Sequence, residues 1–269
     1  DEVLSSETTS RAILFCVDCT NPKYQDATKR NYLVSCFIGM LNSNKYDKFL
    51  FVPVVTVPTL INNVEIALAE LEYDYSVEKG SDYSEKLYES LSSIYRTYIR
   101  KNAVDSIFLE IRFDNIFGPF LHLGNKMNLR EFVADAMQKG TLKIENKDFF
   151  NFFSCVYESD AATAIFRVLF YGKSANIYNA SNYRVNTASL LNIVHNLFPD
   201  LFSVSAEKKT DSDLFSSQMD SLKLHSIGWK PKMKLSAALK RFVCSTMGIE
   251  YDQEIDKAFY KGKLSRLKE

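Results

Sequence analysis

Arg112, Asp114 and Asn115 stand together at the end of an apolar run, in the string Ile111-Arg112-Phe113-Asp114-Asn115-Ile116-Phe117-Gly118-Pro119. A guanidinium binds carboxylates and phosphates in a bidentate way, and a carboxamide donates and accepts at once, so these residue types suit a polar or anionic ligand. The Gly-Pro that follows turns the backbone away and leaves Asn115 at an edge rather than in a core. The competing reading is structural, with Asn115 capping a turn and Arg112 pairing at a surface. Cys16-Val17-Asp18-Cys19 has the spacing of a metal or redox pair. Zinc would need a second ligand pair, and His122, His195 and His225 are scattered singly, so small apolar residues at a strand end account for the two cysteines more simply.

Such an edge has to be held by a strand, and Ser106 to Ile111 reads as a buried one. Similar apolar, β-branched runs occur at Ala12 to Val17, Phe49 to Val55 and Asn176 to Tyr178. Helical patterns fall between them, near Asp26 to Asn42, Ser84 to Lys101, Asn128 to Lys139, Ser159 to Phe170 and Thr187 to Leu197, with a closing helix at Leu235 to Ser245. Alternation of this kind means βαβ units, and strands apolar on both faces mean a parallel sheet between helix layers. The expected fold class is α/β, a doubly wound parallel sheet with a smaller lobe built mainly from the chain after Phe120.

Composition narrows the function. With 269 residues, 46% of them hydrophobic, the chain can bury a sizeable core. Lys plus Arg and Asp plus Glu both number 33, so no net field draws nucleic acid or an anionic membrane. The apolar run from Phe49 to Ile61 is broken by Pro53 and Pro58 and is too short to span a bilayer. The polar opening, Asp1 to Arg11, does not read as a signal peptide. An odd set of five cysteines points to reduced thiols, and a cytoplasmic location is the expectation.

The string from Ile111 to Pro119 resembles the LRxxNxYGP segment of the extended short-chain dehydrogenase/reductases, the sugar-nucleotide epimerases, dehydratases and 4-ketoreductases. Later segments extend the likeness in the same order. Val156-Tyr157-Glu158-Ser159-Asp160-Ala161-Ala162-Thr163-Ala164-Ile165 is similar to VYVxDxAxAI, Ile177-Tyr178-Asn179-Ala180 to xYNxG, and Asp220-Ser221-Leu222-Lys223-Leu224 with Ile227-Gly228-Trp229-Lys230-Pro231 to DxSKLxxLGWxP. The resemblance runs from about Arg11 to Val243. It implies a Rossmann-like core over residues 1–119 and a mainly substrate-binding lobe over 120–269, with 156–180 returning to the core sheet. It also implies NAD or NADP as cofactor, a nucleotide-sugar or related small molecule as ligand contacted by Asn115 and Arg112, and a homodimer through the two long helices near Asp26 to Asn42 and Ser84 to Lys101.

The catalytic set implied by the resemblance is a Ser/Thr, a Tyr and a Lys. Thr56 takes the first role, although Val55 replaces the hydroxyl that commonly precedes it. Tyr83 and Lys86 take the others, three residues apart where the family has four, a spacing that still shares one helix face. Strict spacing from Lys86 lands on Asp82, which cannot replace a phenol, and Tyr75 with Lys79 is a competing pair of correct spacing. Val57 and Pro58 occupy the acid/base positions of the dehydratases, which argues against dehydration. Phe153 stands where an Arg clamps the substrate diphosphate, leaving Lys147 or Arg184 to compensate.

No glycine-rich turn for a dinucleotide pyrophosphate is present, and the first of the nine glycines is Gly39. By comparison of spacings, Arg11 to Val17 resembles the fourth strand of the family fold, so on the order of sixty residues carrying three strands and the phosphate turn are expected to lie outside this chain. Two readings follow: a nucleotide-sugar epimerase or 4-ketoreductase, and a non-catalytic descendant that binds a ligand or a protein through the same cleft.

Overall fold

Four parallel strands carry the molecule, with helices packed on both faces. The computed structural model describes residues 11–43, 46–55, 67–68, 83–102, 106–120, 122–123, 129–144, 152–199, 203–206 and 218–249. In chain order these form β1 (Ala12–Asp18), a 3-10 turn at Pro22–Gln25, α1 (Ala27–Leu41), β2 (Lys48–Val54), β3 (Ala67–Leu68) and α2 (Tyr83–Asn102). Next come β4 (Ile107–Arg112), β5 (Ile116–Phe117), β6 (His122–Leu123), α3 (Leu129–Lys139), β7 (Thr141–Ile144), β8 (Phe153–Tyr157) and α4 (Glu158–Tyr171). The remainder is β9 (Asn176–Asn179), β10 (Tyr183–Val185), α5 (Thr187–Leu197), β11 (Ser203–Ala206), β12 (Gln218–Met219), α6 (Leu222–Ser226) and α7 (Leu235–Thr246).

The main sheet has the order β1-β2-β4-β9, with every pairing parallel. Side chains alternate across it, as the pleat requires. Phe15, Val17, Phe49, Phe51 and Phe108 point to one side, where Phe37 and Leu41 of α1 and Leu87, Leu91 and Tyr95 of α2 close over them. Leu50, Val52, Leu109 and Ile111 point to the other, under Ala161, Ala164 and Val168 of α4 and beside Leu224 and Trp229. Pro53 has no N–H to donate, and it lies beyond Phe51 and Glu110, the last pair of the continuous β2–β4 ladder, while its carbonyl accepts from Phe113 N at 3.0 Å.

Local chemistry sets the helix starts. Asp26 Oδ1 accepts from Thr28 N (2.8 Å) and Lys29 N (3.3 Å) at the head of α1, and Asn186 Oδ1 accepts from Ser189 N (2.7 Å) at the head of α5. The first turn of α4 contains Asp160, but this carboxylate is buried and accepts instead from Lys232 N and Met233 N, both at 3.0 Å. It thereby ties the segment before α7 to α4. The single tryptophan, Trp229, is buried in the same place, and its indole N–H reaches Asp160 O (3.3 Å) and Thr163 Oγ1 (3.2 Å).

A second sheet, β10-β8-β5-β6, belongs to the smaller lobe. Phe117, Phe153, Tyr157, Leu190, Leu191, Val194, Phe198, Leu239 and Phe242 make its core between α3, α5 and α7. No helix among the described residues is long and apolar enough to cross a membrane.

Candidate functional site

Because all four strands of the main sheet run the same way, their carboxyl ends share one edge, the edge where open α/β sheets hold ligands. Asp18, Val54, Arg112 and Asn179 end the four strands. The turn after β1 is tightened by Asp18, whose Oδ1 accepts from Thr20 N (3.0 Å) and Thr20 Oγ1 (2.5 Å). Tyr83, the first residue of α2, crosses to this turn, and its hydroxyl donates to Thr20 O. Lys86 lies one turn further along α2 and is exposed. Thr56, and the alternative pair Tyr75 and Lys79, lie outside the described residues. Val55 is buried against Met219 and Tyr88.

Arg112 is buried, and its Nε bonds Glu110 Oε1 at 2.7 Å. The Tyr88 hydroxyl donates to the same oxygen at 2.7 Å, and the guanidinium lies 5.3 Å from the Tyr88 ring. Burial first, and then the Glu110 carboxylate, push the Tyr88 phenol well above the usual tyrosine range. A cation, an anion and a neutral phenol thus satisfy one another beneath α2. Neither Glu110 nor Tyr88 stands out in the sequence reading. The available signal is a Glu two residues before an Arg in an apolar strand, which puts both on one face.

Asn115 is fully buried where the main sheet meets the lobe. Its Nδ2 donates to Ser154 O at 3.0 Å, and its own carbonyl accepts from Val156 N at 3.0 Å. Asp114 Oδ2 accepts from Ser154 N at 3.1 Å, so consecutive side chains clamp one residue of β8. Asn115 Oδ1 has no hydrogen-bond partner among the described residues, an acceptor left open at the junction. Arg184 stands opposite Ser154 in the β10–β8 register, with its guanidinium 5.3 Å from the Phe152 ring. Phe153, by contrast, is packed into the apolar core of the lobe, and Lys147 lies outside the described residues.

Gly118 lies against the Glu158 side chain, which would have to move to admit a Cβ. A Cβ there would lie 2.2 Å from Glu158 Cδ, and Glu158 Oε2 accepts from Phe120 N at 3.1 Å. The Gly-Pro turn is thereby pinned to the first residue of α4. A cavity of about 650 Å³ opens beside it, lined by Phe120, Tyr157, Glu158, Arg241 and Ser245 among others.

Cys16 is exposed and Cys19 is buried, and burial, with the Asp18 and Glu110 carboxylates, pushes the Cys19 thiol up. No group of His, Cys, Asp and Glu among the described residues comes together to hold a metal. Among the described residues, the turn after β1 fits a dinucleotide pyrophosphate poorly. The turn after β1 reads Cys19-Thr20-Asn21-Pro22, without the glycine that would let backbone N–H groups close on a pyrophosphate.

No family model matches the sequence, and no curated protein matches it. Solved structures do. RMD from Pseudomonas aeruginosa, complexed with NADPH, is 13% identical, with 90% of this chain and 82% of that chain covered at a TM-score of 0.64. UDP-glucose 4-epimerase from Thermotoga maritima, with UDP-glucose, is 15% identical, with 88% and 77% covered at 0.64. dTDP-glucose 4,6-dehydratase from Bacillus anthracis, in complex with NAD, is 18% identical, with 88% and 73% covered at 0.61. Identities this low speak to the fold, and the chain has the Rossmann-like α/β fold of the extended short-chain dehydrogenase/reductases, to which the sequence motifs also point.

Proposed function

We propose that the carboxyl edge of the main sheet is a nucleotide-sugar site, and that the protein acts on the sugar as an epimerase or 4-ketoreductase. The observation that carries this reading is the convergence of Tyr83, Asp18 and Thr20 on the sheet edge where β4 ends at Arg112, three residues before Asn115. In this reading Tyr83 is the group that gives or takes a proton at a sugar oxygen, with Thr56 orienting that oxygen and the Lys86 ammonium favouring the phenolate. Asn115 Oδ1 supplies an acceptor at the junction of the main sheet and the lobe, and Arg184 supplies the cation for the diphosphate in place of Phe153. NAD or NADP is implied by the resemblance, and no step is assigned to it because no described turn offers the glycine-rich cradle for its pyrophosphate.

The test uses protein expressed from the natural reading frame. Tyr83→Phe and Lys86→Met should each lower turnover of a UDP- or dTDP-sugar by about 10²-fold or more with binding retained. Arg184→Ala should weaken nucleotide-sugar binding about tenfold while leaving the lobe folded, because its loss removes a charge-assisted contact. Activity that persists in Tyr83→Phe and vanishes in Tyr75→Phe would move the role to the other pair.

A second reading, a non-catalytic binder with the same cleft, is favoured by the burial of Phe153 at the clamp position and by the engagement of the Tyr83 hydroxyl with a backbone carbonyl. It predicts nucleotide-sugar or protein binding without turnover. Either reading accommodates a homodimer through α1 and α2, which pack side by side. Tyr32, Ile38 and Met40 expose apolar surface on α1, so Ile38→Glu should shift a dimer to monomer in sedimentation if that face is the interface.

A further inference from the structure

The C-terminal half of α2 shelters a cavity that the carboxyl edge of the sheet does not share. Its volume is about 230 Å³, and it lies toward the amino ends of β4 and β9, on the flank of α2 that faces β9. Among the described residues β9 closes the main sheet on the side opposite β1. Phe108 and Glu110 are alternate residues of β4 and point to one face, and Ile177 stands beside Glu110 in the β4–β9 register. Arg96, Ile99 and Arg100 line the cavity from α2, where residues three and four apart share one side of the helix. The strands thus supply apolar side chains and one carboxylate, and the helix supplies two guanidiniums.

Two features mark the cavity as more than a packing gap. Glu110 is only 2% exposed and is held in place, its Oε1 accepting from Arg112 Nε and from the Tyr88 hydroxyl, each at 2.7 Å. A buried carboxylate needs such partners, and these two keep it from swinging out of the cavity that it lines. Arg112 also balances its charge, so the charges that the lining adds are the guanidiniums of Arg96 and Arg100. The wall beside Glu110 is strained. Ala175 lies in the left-handed region with φ 62°, the one described non-glycine residue to do so, while its N donates to Phe108 O at 2.7 Å. Strained backbone persists where its surroundings over-determine it, and it gathers at ligand sites.

We propose that this cavity is a second ligand site and that it takes a small organic monocarboxylate with an apolar body. The carboxylate meets Arg96 and Arg100, whose planar guanidiniums match it in a bidentate way. The body lies against Ile99, Phe108 and Ile177. Glu110, at the other end, accepts from a hydroxyl and repels a second carboxylate. At about 30 Å³ per water the cavity has room for on the order of eight waters, which suits a single aromatic or branched aliphatic acid and is too small for a nucleotide-sugar. The site is separate from the sheet edge and does not depend on the reaction proposed there.

The test uses protein expressed from the natural reading frame, titrated by calorimetry with benzoate, 4-hydroxybenzoate, terephthalate and benzyl alcohol. Benzoate should bind with a Kd of about 1 mM or below, one molecule per chain, and 4-hydroxybenzoate at least as tightly. Benzyl alcohol, which has no charge, and terephthalate, whose second carboxylate meets Glu110, should each bind at least about tenfold more weakly. Arg96→Gln and Arg100→Gln should each weaken benzoate about tenfold, and because Arg100 is exposed its variant keeps the fold. Absence of benzoate binding up to about 10 mM, an affinity unchanged in both variants, or terephthalate binding as tightly as 4-hydroxybenzoate overturns the proposal. So does displacement of benzoate by UDP-glucose, which would put the acid at the sheet edge. Benzoate binding by a protein that binds no nucleotide-sugar upholds it and removes the nucleotide-sugar reading instead.

Discussion

The two sides of the main sheet are closed with different materials. Under α1 and α2 the filling is aromatic: the Phe37 ring lies 4.6 Å from Phe15, 5.2 Å from Phe51, 5.9 Å from Phe49 and 6.1 Å from Tyr95. The Tyr95 hydroxyl is buried with them and still satisfied, donating to Leu109 O at 2.8 Å. Under α4 the filling is mostly aliphatic, from Leu50, Val52, Leu109, Ile111, Ala164 and Val168, with Phe113, Tyr178 and Trp229 as its aromatic members. The aromatic side reaches β1, β2 and β4, while the aliphatic side starts at β2. Among the described residues the two faces are thus covered to different extents, and each has its own buried core.

The largest effect should come from breaking the aromatic face. Phe37→Ala removes the ring that touches four others and should cost about 3–5 kcal/mol in urea unfolding, as for large core truncations. A cost below about 1 kcal/mol would mean that α1 is not seated as described. On the other face, Asp160→Asn keeps the shape but gives up a charged acceptor of two backbone N–H groups, with an expected loss of about 1–3 kcal/mol. If that variant unfolds like the parent, the tie between α4 and the segment before α7 contributes nothing.

Alkaline titration separates the faces without mutation. Burial raises the phenols of Tyr88 and Tyr95, both on the aromatic side, well above their ordinary value. A phenol whose folded pKa is raised stays neutral in the native state while the unfolded chain ionises near pH 10, so its contribution is fully present below about pH 10 and is lost as pH rises further. Stability should therefore fall above about pH 10, and the share of phenolate absorbance that belongs to these two buried tyrosines should appear together with unfolding rather than before it. The smallest effect belongs to β1, whose Leu14 is exposed: Leu14→Ala in the 269-residue chain should change stability by no more than about 0.5 kcal/mol.

The long elements were legible because their pattern is local. The run Ala12 to Val17 is β1 almost to the residue, and the patterns near Asp26 to Asn42 and Ser84 to Lys101 are α1 and α2. Asp26 caps its helix through its own neighbours, information contained in four consecutive residues. The lobe was less legible. Ile116–Phe117 is only two residues long and pairs with Val156 and Tyr157, well separated in the chain, while the two-residue strand His122–Leu123 pairs in turn with it. At the site, Asn115 was recognised as a residue at an edge, but its bond to Ser154 O spans 39 positions and has no local signature. Arg112 was recognised as a cation, and the carboxylate that neutralises it sits two residues earlier in what reads as a plain apolar strand.

Trp229 gives the molecule a built-in optical gauge. As the only indole in the chain, buried and hydrogen-bonded to α4, it emits from one border of the aliphatic face and from nowhere else. Its emission should move to the red when α4 parts from the segment leading to α7, and should stay in place when damage is confined to α1 or α2. Comparing that emission with far-ultraviolet circular dichroism during unfolding then reports whether the two halves of the structure melt as a single cooperative unit or in sequence.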